Sequence, residues 1–298
     1  MCTEKTGRPQ QVREWKLVWS RLWRNRVSII GLLVVSTLVI IAAFAPHLAP
    51  YPDHGGAVVR FARAHEPPSR EHLFGTDEMG RDVLSRVILG SRLSLLLAVV
   101  VISLAMGIGV PLGLIAGYWG GTVNIVIMRI TEIFLAVPPL VLALAASAAF
   151  PPSLTTSMLA ITLVWWPWYA RLTQAEVLRV KKELFVQASQ ALGASRWRIA
   201  VVDILPHVIP PVLVKATLDM GFVILLGAAL SFLGLGAQPP EPDWGTMIAR
   251  GRIYLPGNWW AVTFPGLAIF VTILGFNLLG DALRDLFDVE IGREYWIK

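Results

Sequence analysis

Apolar residues in this chain are concentrated in stretches long enough to cross a lipid bilayer, and polar segments separate them. A membrane helix needs roughly 20 apolar residues. The uncharged run 133–169 is too long for one span, and the segment 150–153 (Phe-Pro-Pro-Ser) divides it in two because proline interrupts a helix. The pattern therefore predicts six membrane helices, within residues 27–45, 93–119, 133–150, 153–169, 208–235 and 253–280.

The polar segments predict the domain organisation and its orientation. Residues 1–26 carry seven Lys/Arg, with Trp15, Trp19 and Trp23 at a spacing typical of an amphipathic helix on a membrane surface. If this end is cytoplasmic, the inner segments carry sixteen Lys/Arg and the outer segments eight, in agreement with the positive-inside rule. We predict a six-span domain over 27–283 with outer loops 46–91 and 237–258, a cytoplasmic loop 181–207 and a cytoplasmic tail 284–298.

Small and aromatic residues indicate what surrounds the predicted spans. Gly109, Gly113 and Gly117 recur every four residues, which lets another helix approach closely in lipid, so we predict a packing face there. A group of aromatic residues ends the fourth span and predicts an aromatic belt at the cytoplasmic interface: Trp165, Trp166, Trp168 and Tyr169.

Charged residues inside membrane spans are functional candidates, because a charge in lipid is costly. Arg129 and Glu132 are three residues apart near the predicted start of the third span, where a local ion pair is the simpler interpretation. Lys215 and Asp219 are four apart in the fifth span and can pair in the same way. Glu132, Lys215 and Asp219 are therefore candidates for a transport pathway as well as for structural pairing.

Composition supports a membrane protein without chemistry of its own. Hydrophobic residues make up 55% of the 298 residues and charged residues 15%, and the mean hydropathy is +0.62. The net charge of +6 comes from basic residues between apolar stretches, so we expect no nucleic-acid partner. One cysteine, Cys2, excludes an internal disulfide. A phosphate-binding loop, a metal-ligand cluster and a nucleophile elbow are all missing from the sequence, so we predict no catalytic, cofactor or metal site.

The longest polar interruption in the second half of the chain is Lys181–Pro211. Residues 187–192 are compatible with a short helix, and Gly193 is placed to end it in a left-handed cap. Ser195 can then cap a second short helix, which we expect Pro206, Pro210 and Pro211 to end. A compact helix-turn-helix of this kind suits docking into a groove on another protein, although an ordinary amphipathic loop is the alternative.

This segment resembles the cytoplasmic coupling loop of permease subunits in bacterial ATP-binding cassette (ABC) importers, which reads Glu-Ala-Ala, then Gly, then Leu-Pro. Residues 187–189 (Gln-Ala-Ser), Gly193 and Leu205-Pro206 stand at those positions. The departures are Gln for Glu, Ser for Ala, and Asp203 where Ile is usual. The resemblance implies an ATPase-coupling role for Phe185, Gln187, Ala188, Ser189, Leu192, Gly193, Ala194, Ser195, Leu205 and Pro206.

Further segments resemble permeases for dipeptides, oligopeptides and nickel, and together they cover roughly residues 70–290. They include 75–92, 231–245 and the tail 280–285, although Val289 stands where a Pro is usual. In the first of them we expect Thr76 or Asp77 to cap a helix, and Asp82 to pair with Arg86. The simpler interpretation of the outer loop 46–91 is a structural covering of the outer membrane face, and the alternative is a contact with substrate.

The resemblance implies an all-α membrane protein of the type I ABC importer kind, with six transmembrane helices and both termini in the cytoplasm of a bacterium. Its implied partners are a second homologous permease, two ATPase subunits that bind ATP and Mg²⁺, an extracytoplasmic binding protein, and membrane lipid. The implied substrates are short peptides, with nickel chelates or another small solute as alternatives. A secondary transporter would show inverted repeats with broken helices, and an intramembrane enzyme would need a polar catalytic pair within its spans.

Overall fold

The computed structural model describes residues 26–294, so the predicted amphipathic segment with Trp15, Trp19 and Trp23 lies outside it. The described part is helical apart from turns and one isolated bridge between Thr76 and Asp82, which confirms the all-α prediction. Its helices are α1 (Arg26–Ala43), α2 (Ala45–Leu48), α3 (Val83–Trp119), α4 (Gly121–Leu135), α5 (Pro139–Ala148), α6 (Leu154–Val180), α7 (Leu184–Ala191), α8 (Arg196–Phe232), α9 (Trp244–Gly251) and α10 (Trp260–Glu294).

Three of these helices, α3, α8 and α10, are long and apolar enough to cross a membrane. Helices α4 and α5 pass the same test as a pair, bent by 87° at the residues between them. Helix α1 is apolar but shorter. Helix α6 has 27 residues, and its C-terminal half is more polar than its N-terminal half. These helices supply the candidates for the six predicted spans.

Helices α3 and α6 pack together at the centre of the molecule along the three glycines of α3. A Cβ atom at Gly109 would lie 2.4 Å from the Trp166 carbonyl oxygen, and one at Gly113 would lie 2.4 Å from that of Ala170. At Gly117 it would meet Val177 at 2.8 Å. The backbones are therefore so close that only hydrogen fits between them, as in small-residue helix contacts in membranes.

Helix α4 begins at Gly121, twelve residues before the predicted start of the third span. The predicted start was too late because the span was taken to begin after the last charged residue, whereas Arg129 and Glu132 lie inside the helix. They form the predicted local ion pair, with 3.3 Å between Arg129 Nη1 and Glu132 Oε2. They stand near the end of α4, however, and not near the start of the span.

The aromatic residues for which the sequence predicts an interfacial belt lie within α6. The helix continues beyond them to Val180. Trp166 and Tyr169 are buried in the helix bundle, and Trp168 is exposed midway along α6. Further along α6, Thr173 and Val177 face α3 across the glycine contact.

The prolines that are predicted to end the second short helix do not end a helix. Pro206, Pro210 and Pro211 lie within α8, which runs on to Phe232. A π-helical turn over Ile199–Ile204 precedes them. Pro206 follows this turn at the start of the regular α-helical stretch Leu205–Phe232, and Pro210 and Pro211 lie inside that stretch.

The glycine contact predicts a position-dependent effect of valine in α3. Gly113→Val should force α3 and α6 apart and lower the thermal unfolding midpoint of the detergent-solubilised protein, since overpacking costs about 1–3 kcal/mol. Gly107→Val is the matched control, because a Cβ atom at Gly107 meets nothing within 4 Å. Equal midpoints for the two variants in a fluorescence-detected thermal assay would contradict the packing role of Gly113.

Candidate functional site

The turn at Gly193 has the geometry that its sequence predicts. Gly193 has φ +77°, a left-handed conformation that favours glycine. Its N–H donates to the Gln190 carbonyl at 3.0 Å, and the Ala194 N–H donates to the Ser189 carbonyl at 3.1 Å. These two bonds form a Schellman motif, which satisfies the last carbonyls of α7.

Ser195 starts the next helix directly after this turn. Its Oγ accepts a hydrogen bond from the Arg198 N–H at 3.3 Å, as expected of an N-cap. This helix is not a separate short element as predicted, because it continues through the π turn as α8. The turn is therefore joined rigidly to a membrane helix.

We call residues 181–207 the coupling segment, and it exposes large apolar side chains together with the charged side chains of Lys182, Arg196 and Arg198. Leu192 is 88% exposed at the tip of the turn, and Phe185 and Trp197 flank it. Gln187 and Ala188 are exposed beside them on α7, and so is Pro206 at the far end. The partly buried members of the predicted coupling set are Ser189, Ala194 and Leu205.

A few contacts hold the coupling segment against the helix bundle. Val186 is fully buried, and Trp197 packs on Trp119 at the end of α3 with 4.5 Å between ring centroids. Lys181 Nζ donates to the Tyr118 carbonyl oxygen at 2.6 Å. Gln187, which stands at the usual Glu position, donates through its amide to the Lys182 carbonyl, so it stabilises the start of α7 without a charge.

The two intramembrane charge pairs differ in their surroundings. Lys215 Nζ lies 3.1 Å from both carboxylate oxygens of Asp219, which is 7% exposed. The ammonium also lies 5.6 Å from the ring centroid of Trp168 and 5.9 Å from that of Tyr169, in cation–π contact with α6. Arg129 and Glu132, in contrast, are 78% and 46% exposed on α4.

The two outer loops pack on each other through polar contacts. Arg86 Nη1 donates to the His54 carbonyl and to that of Pro240, and Trp260 Nε1 donates to the Thr76 carbonyl. Trp244 is buried and donates to the Val87 carbonyl at 3.0 Å. The segment before α3 and the segment around α9 therefore form one cap at this end of the bundle.

Two sequence predictions about the segment that leads into α3 are wrong. Asp82, and not Thr76 or Asp77, caps α3 by accepting from the Ser85 N–H at 2.7 Å. Asp82 is therefore engaged with the helix start, and Arg86 instead has Asp77 Oδ2 at 3.6 Å from its Nε. The sequence spacing allowed the Asp82–Arg86 pair, but the cap orients the carboxylate towards the helix N-terminus.

Sequence analysis also missed a buried histidine pair in the cap. His72 Nδ1 lies 2.9 Å from Asp82 Oδ1, and the Asp82 N–H donates to His54 Nδ1 at 2.8 Å. Tyr51 stacks on His54 with 4.9 Å between ring centroids. The histidines are far apart in sequence, and only the fold brings them to one carboxylate. Among the described residues, no group of three His, Cys, Asp or Glu side chains could hold a metal ion.

Burial lowers the pKa of His54 below its usual value of about 6.5, and the positive charge of Arg60 lowers it further. Asp82 and Asp77 act in the opposite direction with smaller effect, and His72 adds to the lowering. His54 is therefore neutral in the folded protein, which agrees with its Nδ1 accepting the Asp82 N–H.

This shift predicts a loss of stability in mild acid. Below pH about 6.5 the unfolded chain binds a proton at His54 that the folded chain resists, so the free energy of unfolding falls as the pH falls towards the lowered pKa. His54→Asn, whose Oδ1 can accept the same N–H, should flatten this part of the profile. The measurement is the thermal midpoint of the solubilised protein between pH 7.5 and 5, and identical slopes would contradict the assignment.

Comparison with known proteins agrees with this architecture. Residues 109–293 match the family model described as "Binding-protein-dependent transport system inner membrane component", and residues 14–68 match "N-terminal TM domain of oligopeptide transport permease C". One solved structure, of the methionine ABC transporter MetNI in inward-facing conformations, matches with a TM-score of 0.55 at 19% identity, over 67% of this chain and 95% of that one. This last likeness concerns the fold alone.

Curated relatives match over nearly their full length. A probable D,D-dipeptide transport system permease protein of Escherichia coli (strain K12) is 42% identical over 98% of both chains. A dipeptide transport system permease protein of the same strain is 46% identical over 92% of both chains. A glutathione transport system permease protein of Pectobacterium atrosepticum is 37% identical over 98% of this chain and 96% of that one. This chain therefore belongs to the family of binding-protein-dependent transport system inner membrane components.

Proposed function

We propose that this chain is a permease subunit of an ATP-driven importer and forms half of the pathway through which short peptides enter a bacterial cell. The coupling segment, exposed at the end of the helix bundle, is the observation that carries this proposal. The relatives named for dipeptide transport support the substrate class, and the relative named for glutathione extends it to a tripeptide. Energy comes from partner subunits that bind ATP and Mg²⁺, and this chain is not itself an enzyme.

The exposed apolar side chains of the coupling segment support docking on another protein. Leu192, Phe185 and Trp197 project from a turn whose backbone is held by its own hydrogen bonds. Large apolar side chains presented on a rigid turn are typical of groove-binding segments. In this proposal they bind an ATPase subunit, and a second copy of this arrangement in a homologous permease partner binds another.

The packing behind the turn supports transmission of movement into the membrane. The coupling segment rests on the end of α3 through Trp119 and Tyr118, and it continues covalently into α8. Closure of the ATPases would therefore displace α8 and the α3–α6 pair together. An extracytoplasmic binding protein would deliver the peptide at the opposite end, where the two outer loops form the cap.

The proposed orientation places both termini and the coupling segment in the cytoplasm of a bacterial cell. In a Cys2→Ser background, Ser195→Cys should react with a membrane-impermeant thiol reagent only from the cytoplasmic side. Ala57→Cys, in the exposed part of the first outer loop, should react only from outside. The measurement is labelling of intact cells against inside-out vesicles, and the reverse pattern would overturn the orientation.

The proposed coupling role predicts that Gly193→Val abolishes transport in the assembled importer. A side chain at φ +77° costs on the order of 1 kcal/mol and tilts the tip of the turn away from the ATPase groove. A Cβ atom there meets nothing within 4 Å, so folding and insertion should survive. The readouts are peptide uptake and ATPase co-purification in cells.

Gly120→Val is a matched control for this variant. Gly120 also has positive φ, at +65°, and a Cβ atom there also meets nothing within 4 Å. With ψ at −155°, the backbone at Gly120 is at least as unfavourable for a side chain as that at Gly193, but the turn between α3 and α4 has no proposed ATPase contact. A loss of transport confined to Gly193→Val would therefore not come from backbone strain alone. Wild-type transport by Gly193→Val with ATPases bound normally would show that residues 181–207 are not the coupling element.

A further inference from the structure

A cleft of about 360 Å³ opens in the cap, between the two outer loops. Residues 77–86 form one side of it, and residues 239–250 form most of the other. Its charged lining is Asp77, Glu78, Arg81, Arg86, Glu241 and Arg250. The coupling segment packs on the other end of α3, so the proposed docking of ATPases makes no use of this cleft.

Two of the three carboxylates are engaged inside the cap. Arg81 Nε donates to Asp77 Oδ2 at 2.8 Å, and Arg250 Nη1 donates to Glu78 Oε1 at 3.0 Å. The side chains of Asp77 and Glu78 are only 9% and 13% exposed. Because they already neutralise neighbouring guanidiniums, they are poor ligands for a further cation.

The inner part of the cleft keeps an excess of positive charge. The Arg86 side chain is 4% exposed, and its terminal nitrogens donate to backbone carbonyl oxygens on both outer loops, which carry no formal charge. Among the described residues its Nε has no hydrogen-bond acceptor, because Asp77 Oδ2 lies 3.6 Å away and is bonded to Arg81. The three guanidiniums of the cleft therefore share two carboxylates, Asp77 and Glu78.

The remaining carboxylate lies at the open side of the cleft. Glu241 is exposed, and it belongs to none of the ion pairs that the described residues form. Its carbonyl accepts from Arg86 at 3.3 Å, which places this residue beside the inner positive charge. The Arg250 side chain is 36% exposed and uses Nη1 for Glu78, which leaves other N–H groups for a ligand. The cleft thus has a positive inner part and a negative rim.

We infer that this cleft binds a short zwitterionic peptide, with the peptide α-carboxylate inward and the α-ammonium at the rim. Arg250 donates to the α-carboxylate, the charges of Arg81 and Arg86 attract it from behind, and Glu241 accepts from the α-ammonium. This inference rests on the proposed import of short peptides, and it assigns them a binding site at the end of the bundle where the binding protein delivers them.

A zwitterion suits this charge distribution better than a simple anion or cation does. An anion would meet the Glu241 carboxylate at the rim, and a cation would meet guanidiniums that have too few carboxylates. A free short peptide carries both charges and adds no net charge, so each of its ends finds an opposite charge. Hydrogen bonds between charged groups are stronger than neutral ones. Because the contacts are to the termini, the site accepts peptides of many sequences.

The first test measures binding to the assembled complex with its partner permease and ATPases in nanodiscs, without the binding protein. The probe is L-alanyl-L-alanine, whose methyl signals are followed by saturation-transfer NMR. Arg250→Gln should raise the dissociation constant about tenfold. Glu78→Gln is the matched control: it breaks the same ion pair but keeps the Arg250 guanidinium, so it should bind the dipeptide at least as tightly as the wild type.

Two analogues of the dipeptide test which end each residue contacts. Glu241→Gln should weaken binding of L-alanyl-L-alanine about fivefold. It should leave the affinity for N-acetyl-L-alanyl-L-alanine unchanged, because that analogue has no α-ammonium. Arg250→Gln should likewise leave the affinity for L-alanyl-L-alanine amide unchanged, because the amide has no α-carboxylate. General loosening of the cap would weaken all the ligands alike, so this pattern identifies direct pairing.

The other outcomes separate this inference from the proposed function. If L-alanyl-L-alanine gives no saturation transfer while the complete importer takes up peptide normally, the inference is wrong and the importer stands. Unchanged dipeptide binding by Arg250→Gln, together with weaker capture of the binding protein, would overturn it and make the cleft a docking site for that protein. If the complete importer takes up no peptide but the variants alter binding as expected, the site stands and the proposed transport fails.

Discussion

The close contact between α3 and α6 is the constraint on which the other parts of the molecule depend. Lipid provides little hydrophobic drive for helix association, so close packing of backbones must supply it. Gly109, Gly113 and Gly117 allow that packing. The contact sets the height of Tyr169, over which Lys215 sits, and it brings the ends of both helices to the coupling segment. The Lys215–Asp219 pair and the coupling segment thus depend on the same helix contact.

The two ends of the bundle are stabilised by different interactions. At the end formed by segments 46–91 and 237–258, the buried side chains of Arg86 and His54 hydrogen-bond to backbone groups, and Arg86 joins the two loops. At the other end, aromatic packing of Trp197 on Trp119 holds a turn that exposes Leu192 near Arg196 and Arg198. A cap held by buried polar contacts resists rearrangement, whereas exposed apolar side chains such as Leu192 favour association. This difference agrees with a receiving end and a driven end.

The sequence predicted those features that depend on neighbouring residues. The cap at Gly193, the N-cap at Ser195 and the pairs Arg129–Glu132 and Lys215–Asp219 follow from local geometry, and all of them form. The predicted pair of Asp82 with Arg86 does not form, because Asp82 caps the helix instead. Features that depend on distant contacts were missed: the histidine pair at Asp82 and the burial of Tyr169 arise only when separate segments meet. The start of α4 was misplaced for a third reason, since charges were taken to lie outside spans.

The continuity of α8 makes it a lever. Its 37 residues would span about 55 Å if straight, so a tilt of one degree about one end moves the other by about 1 Å. The coupling segment is attached at one end of this arm, and the outer cap follows the other. The Lys215–Asp219 pair holds α8 against α6 about midway along α8. If α8 tilts about this point, its two ends move in opposite directions. Small movements at the turn would therefore reverse direction across the membrane.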